Sequence, residues 1–502
     1  MDSDEVQYEV ENESQFWAEL DSIVASPSSD HEEIDNALRS FLGFTTNFKQ
    51  EYLQSEYDIA RCCYKLQDSS LFQQNQDYVR RQILYCLLQE DDVDTIHLTA
   101  AVLLFDGRSN EAAFEMMTEE GAFSRLVELI RDRKDDDFGL HRLLLKLLFE
   151  MSRIQKLSRD DLTIVDDSFI LYLFQFIEEL SDDAEDPYHY PVIRVLLALN
   201  EQYMCHANAP PSPDKESGAL TNRILKLLSQ HGPSYRTFGE NLILLLNRES
   251  ELGPQLMILK LLYLLFTTPP TYEYFYTNDL HVLVDVIIRN LLDLDPGNTD
   301  LGLSPEGSDI NGQRALIHTY LRVLYPLLKN TQLAHEGTHY KREEVLKLFY
   351  LMVNRSSAHF APVDETVIRL VMRCKQIDWL QEEGDEQGHA LKEKLEEKLA
   401  EVAPSESTVA KKLLGMSVAE AGVSSLSVVD VSAKVTKEKP VAPAPRRMRK
   451  AAKAHGSGKF VQANGSNGDD HLNPLPDNTI NSGDGISRDD TQSPFADENA
   501  EP

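Results

Sequence analysis

A leucine-rich pattern of helical period recurs along most of this chain, and nothing else in the sequence restricts its fold as strongly. One element is Phe123-Ser-Arg-Leu126-Val127-Glu-Leu129-Ile130. Its spacing returns at Phe169, Tyr172, Leu173 and Phe176, at Phe238, Asn241, Leu242 and Leu245, and at Leu280, Leu283, Val284 and Ile287. A second, longer stripe follows each: Leu143 to Phe149, Val192 to Leu197, Met257 to Tyr263, and Tyr320 to Tyr325. Apolar residues at i, i+3, i+4 and i+7 share one helix face, as do Leu140, Leu143, Leu144, Leu147, Leu148, Met151 and Ile154. The first elements start 46, 69 and 42 residues apart. A unit of roughly 40–47 residues is the armadillo/HEAT period. One such unit cannot bury its apolar face alone, so units must stack around a continuous core. The expected fold is all-α: an armadillo/HEAT-like α-solenoid, with an irregular helical bundle as the competing arrangement. Asp279, just before Leu280, is the expected N-cap of the helix there.

Interruptions of the pattern set the boundaries. Helical text runs to about Val402, so residues 1–402 are read as the armadillo-like domain and 403–502 as a disordered C-terminal tail. The tail is rich in Asn, Asp, Gly, Ser and Pro and offers little to bury. Within the body, residues 206–218 and 295–313 carry clusters of Pro or Gly and are expected to be long loops.

Charge narrows the functions available to such an array. The chain has 83 acidic and 49 basic side chains, a formal net charge of −34. That surface repels phosphate, which argues against nucleic acid as a partner and against docking on anionic lipid. No apolar run reaches the ~18 residues of a membrane span, so membrane insertion is not expected. The acidic start lacks the layout of a signal peptide. The five cysteines, Cys62, Cys63, Cys86, Cys205 and Cys374, show no C-x-x-C spacing. A cytoplasmic protein is expected.

The search for chemistry finds little. His335-Glu-Gly-Thr-His339 matches the H-E-x-x-H zinc pattern, which needs both His on one face of a stable helix. Gly337 and Thr338 are weak helix formers, and the five residues read as a polar loop before a helix at Lys341–Val353. His455-Gly-Ser-Gly-Lys459 lacks the upstream Gly of a phosphate loop and the Ser or Thr that should follow the Lys. No nucleophile elbow is present. The expectation is no enzyme, no cofactor and no metal.

Proline motifs are more informative. Lys437, Pro440, Pro443, Pro445, Arg446 and Arg447 form a P-x-x-P segment flanked by basic residues, within a tail segment 437–453. Such a segment is already extended as polyproline II, so docking in the aromatic groove of an SH3 domain costs little ordering entropy. A solvating linker is the alternative. A second motif, Pro210 to Lys215, sits inside the array and reads as a loop. The basic run Arg446, Arg447, Arg449, Lys450 and Lys453 fits a nuclear-localisation or anionic-lipid patch less well than an SH3 ligand.

One block suggests a family. It runs from Gln255 to Arg289, with the core Thr277-Asn-Asp-Leu-x-x-Leu-Val-Asp285, and continues at Tyr320–Lys329 and Tyr340–Phe349. This text resembles the leucine-rich domain of the family of the NCK-interacting SH3 adaptor and the fungal low-dye-binding protein 17. The likeness is most specific over residues 252–354. It implies an armadillo-like activator of the Arp2/3 complex that needs no preformed filament and yields linear filaments able to seed branched networks. The mammalian form begins with an SH3 domain. Here the first ~90 residues read as helical, and a candidate SH3 ligand stands near the other end, as in the fungal arrangement at cortical and endocytic actin patches. Both tryptophans, Trp17 and Trp379, lie in the body, so the tail lacks the acidic-Trp ending of the usual nucleation-promoting factors.

The resemblance implies the Arp2/3 complex, actin filament ends and SH3-domain proteins as partners. Polar residues of the same block are the candidate Arp2/3-binding set: Tyr272, Tyr274, Tyr276, His281, Arg289, Arg322, Lys329, Lys341 and Arg342. Tyr and Arg are enriched at interface hot spots because they bury large areas while their polar ends stay paired. A passive armadillo scaffold that gathers SH3 proteins at the cell cortex is the alternative function.

Overall fold

The structure, a computed structural model, describes residues 10–25, 30–132, 137–179, 184–208, 220–294, 308–335, 337, 339–353 and 365–381. Among these, every regular element is helical. The order is α1 (Glu13–Val24), α2 (His31–Asn47), α3 (Lys49–Tyr52), α4 (Glu56–Gln67), α5 (Ser70–Gln74), α6 (Gln76–Gln89) and α7 (Val93–Ser109). Then come α8 (Ala112–Glu119), α9 (Ala122–Asp132), α10 (Phe138–Ile154), α11 (Arg159–Ile164), α12 (Asp167–Glu178), α13 (Tyr190–Asn208) and α14 (Arg223–His231). The last are α15 (Arg236–Arg248), α16 (Leu252–Thr267), α17 (Thr277–Asp293), α18 (Ser308–Asn330), α19 (Arg342–Val353) and α20 (Glu365–Lys375).

The helices group in threes: a short first helix, an amphipathic second and a third that is usually the longest. Such triplets are α5–α7, α8–α10, α11–α13 and α14–α16. In the last two units a single 3-10 turn, Pro269–Thr271 or Gln332–Ala334, replaces the short helix. Three helices per unit is the armadillo form of the repeat. The third helices α4, α7, α10, α13, α16, α18 and α20 each pack on the next, making one continuous ladder. The second helices α12, α15, α17 and α19 follow one another in a parallel row. The Tyr172 hydroxyl, donating to Ile130 O at 3.2 Å, ties α9 to α12 in the same row. All four longer stripes of the sequence pattern lie on the ladder, in α10, α13, α16 and α18, and the four shorter ones on the row, in α9, α12, α15 and α17.

Local chemistry sets the helix starts. Side-chain oxygens of Asp92, Ser158, Asp166 and Asn222 accept from first-turn N–H groups, filling bonds the helix itself cannot make. One apolar core runs unbroken from Phe16 to Leu380. Two polar side chains inside it, Arg80 and Gln202, are well paired. Arg80 makes a two-pronged bond to Asp106, at 2.5 Å and 3.0 Å. Gln202 stitches α13 to the end of α10, donating to Ser152 O at 2.6 Å and accepting from Leu157 N at 3.1 Å.

Three expectations change. The helix at Leu280 begins earlier, at Thr277 with Tyr276 as its N-cap. Asp279 is therefore inside the first turn, where its carboxylate accepts from Tyr276 N at 3.3 Å. Residues 308–313, expected in a loop, belong to the first turns of α18, and residues 206–208 to the last turn of α13. The remainder of those loops, residues 382–402 and the tail 403–502 lie outside the described residues. No helix among the described residues is long and apolar enough to cross a membrane.

Candidate functional site

The nine residues assigned to a partner surface do not share one surface. Tyr274 is interior, at 3% exposure, with its hydroxyl donating to Tyr235 O at 2.7 Å. Its ring fits because two neighbours are glycines: a Cβ on Gly232 or on Gly239 would lie 2.9 Å from a ring carbon. The expectation that Tyr274 meets a partner is thus corrected, because the ring fills the space between α14, α15 and α17. Arg342 is also committed. Its Nε donates to Trp379 O at 2.8 Å and its Nη2 to Gln381 O at 3.0 Å, pinning the chain beyond α20 against α19.

Tyr276, His281, Arg289 and Lys341 lie along the second-helix row. Tyr276 is 51% exposed, with the Arg236 guanidinium 4.6 Å above its ring. His281 stacks on Tyr340 at 3.9 Å. The Tyr340 hydroxyl donates to Asp285 at 3.1 Å, and Lys341 Nζ pairs with the same carboxylate at 2.8 Å. Arg289 donates to Asn247 Oδ1 at 2.6 Å. Tyr272, half-buried, stands in the turn before α17.

Arg322 and Lys329 sit instead on the third-helix ladder, on α18. Tyr325 lies between them, and Lys329 Nζ donates to its hydroxyl at 2.9 Å. Arg373 of α20 covers the Tyr325 ring at 4.3 Å, a cation–π contact. Burial, and behind it the like charge of Arg369, lower the pKa of the half-buried Arg322. Pro326 has no N–H to offer, so the Arg322 carbonyl lacks its usual helical donor.

The ladder's charges change character along its length. On α10, Arg142 and Lys146 both bond Glu56 at 2.9 Å, and Arg153 bonds Glu150 at 2.7 Å. On α13, Arg194 bonds Glu249 at 2.9 Å; on α16, Lys260 bonds Glu201 at 2.6 Å. On α18 and α20 three cations stand outside this neutralisation. Among the described residues Lys329, Arg369 and Arg373 make no ion pair, and Arg369 reaches only the Thr366 hydroxyl, at 3.5 Å. In a chain of net charge −34, the last two rungs present cations and a tyrosine.

Sequence reasoning missed Tyr325, Arg369 and Arg373. The signal was present: Arg322, Tyr325 and Lys329 are spaced i, i+3, i+7 opposite the buried leucines, and Arg369 and Arg373 are spaced i, i+4. The H-E-x-x-H residues show no shared helix face. His335 closes a 3-10 turn, Gly337 takes a left-handed φ of 84°, and His339 stacks on Trp379 at 4.9 Å; Glu336 and Thr338 lie outside the described residues. The candidate SH3 ligand, Lys437, Pro440, Pro443, Pro445, Arg446 and Arg447, also lies outside them.

Known proteins match this chain over most of its length. The family model described as "SPIN90/Ldb17, leucine-rich domain" matches residues 185–345. Protein dip1 of Schizosaccharomyces pombe is 30% identical over 394 residues, which cover 78% of this chain and 100% of that protein. Protein LDB17 of Saccharomyces cerevisiae is 28% identical over 433 residues, covering 74% of this chain and 82% of that protein. Protein LDB17 of Eremothecium gossypii is 25% identical over 399 residues, covering 72% and 80%.

Proposed function

This chain belongs to the SPIN90/Ldb17 leucine-rich-domain family, and on that premise we propose that it activates the Arp2/3 complex without a preformed filament, producing linear seed filaments. The observation that carries the proposal is the match across the whole length of the Schizosaccharomyces pombe relative, at 30% identity. The protein acts in the cytoplasm at cortical, endocytic actin patches. It works by binding alone, with no catalysis of its own, and the P-x-x-P tail recruits SH3 proteins that place it.

An activator of this kind must hold the active arrangement of the actin-like subunits better than the inactive one. Moving that balance from 1:99 to 99:1 takes ~5.5 kcal/mol of differential affinity. A surface of about 800 Å² per partner can supply it. We assign this role to the ladder side of α18 and α20, with Arg322, Tyr325, Lys329 and Arg373. Lys329 and Arg373 make no ion pair among the described residues, whereas Lys341, Arg342 and Arg289 serve Asp285, two carbonyl groups and Asn247.

The test is pyrene-actin assembly with purified Arp2/3 complex and the full chain, with filament shape followed by microscopy. The wild type should shorten the lag and give unbranched filaments. Lys329→Glu with Arg373→Glu should still fold, losing about 1 kcal/mol with the Arg373–Tyr325 cation–π contact, and should fail to activate. Arg289→Glu should still activate. A wild-type chain that leaves the lag unchanged refutes the function. A folded double variant that activates at the wild-type concentration refutes the surface.

A further inference from the structure

Two joints of the array are closed by the same three side chains. His31 stacks on Tyr78, ring centroids 4.1 Å apart and planes 8° from parallel, and the Tyr78 hydroxyl donates to Asp35 at 3.0 Å. His281 stacks on Tyr340 at 3.9 Å and 10°, and the Tyr340 hydroxyl donates to Asp285 at 3.1 Å. Each carboxylate stands four residues after its histidine, on the same face of α2 or α17. Each tyrosine comes from the element that follows in the packing, α6 or the turn before α19. The joints differ in one respect. Tyr78 lies inside α6, whereas Tyr340 is followed by Lys341, whose φ of 50° is left-handed. Lys341 stands where the N-cap of α19 belongs, its carbonyl accepting from Val345 N at 2.9 Å. Three local preferences are broken there. A left-handed lysine is disfavoured about five- to thirtyfold. An ammonium cannot accept from first-turn N–H groups. Its charge also faces the positive end of the helix dipole. The restraint is Asp285, which takes Lys341 Nζ at 2.8 Å and the Tyr340 hydroxyl together. A half-exposed pair contributes at most about fivefold, so strain and restraint are nearly matched.

We propose that His281, Tyr340, Asp285 and the strained Lys341 form a latch on the last joint of the row. Closed, it seats α19 on α17; open, Lys341 relaxes and the start of α19 is released. Near-balance is what a two-state element needs, since a small differential affinity then moves it. The next residue carries the change to the ladder. Arg342 bonds Trp379 O and Gln381 O, in the chain just beyond α20. In turn α20 lays Arg373 over Tyr325 of α18. Opening the latch on the row side loosens α20 on the ladder side. By reciprocity, a partner that binds Arg373 in its seated position closes the latch. That consequence rests on the function proposed above; the latch itself does not.

Hydrogen exchange of the full-length protein, read by mass spectrometry on peptides of α19 and α16, is the test. In the wild type α19 should exchange through a local opening, faster than α16. Asp285→Asn should speed α19 exchange about fivefold and leave α16 unchanged. Lys341→Ala and Lys341→Gly both remove the ammonium, but only glycine accepts a φ of 50° without strain. Exchange of α19 should therefore be about five- to tenfold slower in Lys341→Gly than in Lys341→Ala. Three results overturn the latch: α19 exchanging only together with α16, wild-type α19 rates in Asp285→Asn, or equal rates in the glycine and alanine variants. A second arm reads the coupling: Asp285→Asn should need a higher concentration for half-maximal Arp2/3 activation. A variant that opens α19 yet activates at the wild-type concentration overturns the coupling and leaves the latch standing. If the chain does not activate the complex at all, hydrogen exchange still decides the latch.

Discussion

Gly239→Ala puts the packing of Tyr274 to a quantitative test. Gly239 lies inside α15, where alanine in place of glycine ordinarily stabilises a helix by about 1 kcal/mol. Here the new Cβ would stand 2.9 Å from Tyr274 Cε1, 3.0 Å from Phe275 Cε1 and 3.2 Å from the Tyr274 hydroxyl oxygen. The ring has no free direction. It is 3% exposed, Gly232 approaches it from another side, and its hydroxyl is tied to Tyr235 O. Forcing a methyl into such a site costs about 1–3 kcal/mol, so the clash should exceed the helix gain and leave a net loss of about 1 kcal/mol. Tyr274→Leu removes the Cε1 and hydroxyl atoms that the methyl would meet. In that background Gly239→Ala should lose most of its penalty, giving a coupling of about 1–2 kcal/mol between the two sites. Urea melts of the full chain, followed by helical circular dichroism at 222 nm, measure all four forms. Equal penalties in both backgrounds, or a stabilising Gly239→Ala in the wild type, would refute the caged ring.

The other predictions follow from single groups. Arg80→Met should destabilise by about 3–5 kcal/mol, because it leaves the Asp106 carboxylate buried without its partner, and Asp106→Leu added to it should restore much of the loss in the same melts. Asp137 has its pKa held well below the usual carboxylate range by its bond to His97, with the Gly139 N–H and Lys49 assisting against burial. A depressed carboxylate stabilises the fold above its unfolded pKa of about 3.9, and the gain is lost as pH falls toward the folded value. The stability difference between wild type and Asp137→Asn should therefore be full at pH 6 and shrink steadily in melts below about pH 4. Changing Pro440, Pro443 and Pro445 to Ala should abolish capture by SH3 domains and disperse cortical fluorescence, while pyrene-actin activity stays unchanged.

The array was legible because its signal is repeated. Each stripe from Phe123 to Tyr325 marks a helix face that must meet the next unit, and four units sharing one short-then-long pair of stripes fix the architecture. The units before Phe123 escaped notice because their pattern is blurred: in α7, Ile96, Leu98, Ala100, Ala101, Val102, Leu103 and Leu104 are all buried, so no single stripe stands out. The site was only half legible. Composition picked out Lys329, which is exposed, and Arg322, which is half-buried, but a tyrosine's type does not say which way it points. Tyr274 and Tyr276 are two residues apart in a turn, and the glycines at 232 and 239, well upstream in the chain, leave the room that lets the first go inward. Arg373 was invisible as a neighbour of Tyr325 because their adjacency belongs to the stacking of α18 on α20 and not to either helix.

The charge distribution bears on how a partner would find this surface. A body of net charge −34 repels acidic surfaces almost everywhere, and the long-range field of exposed groups is screened beyond about 8 Å at physiological salt. What survives close to the surface is local contrast. Along α10, α13 and α16 that contrast is cancelled by ion pairs, as where Lys260 meets Glu201, and among the described residues it is left standing at Lys329, Arg369 and Arg373. An acidic partner face is thus turned away from the early rungs and admitted at the last two, which fixes orientation before any apolar contact forms. Neutralising Lys329 and Arg373 would remove the contrast while leaving the core untouched, since both side chains lie outside it. An effect of that pair on the rate of association, larger at low salt than at high, separates steering from mere adhesion: adhesion lost in the bound state would appear in the dissociation rate instead.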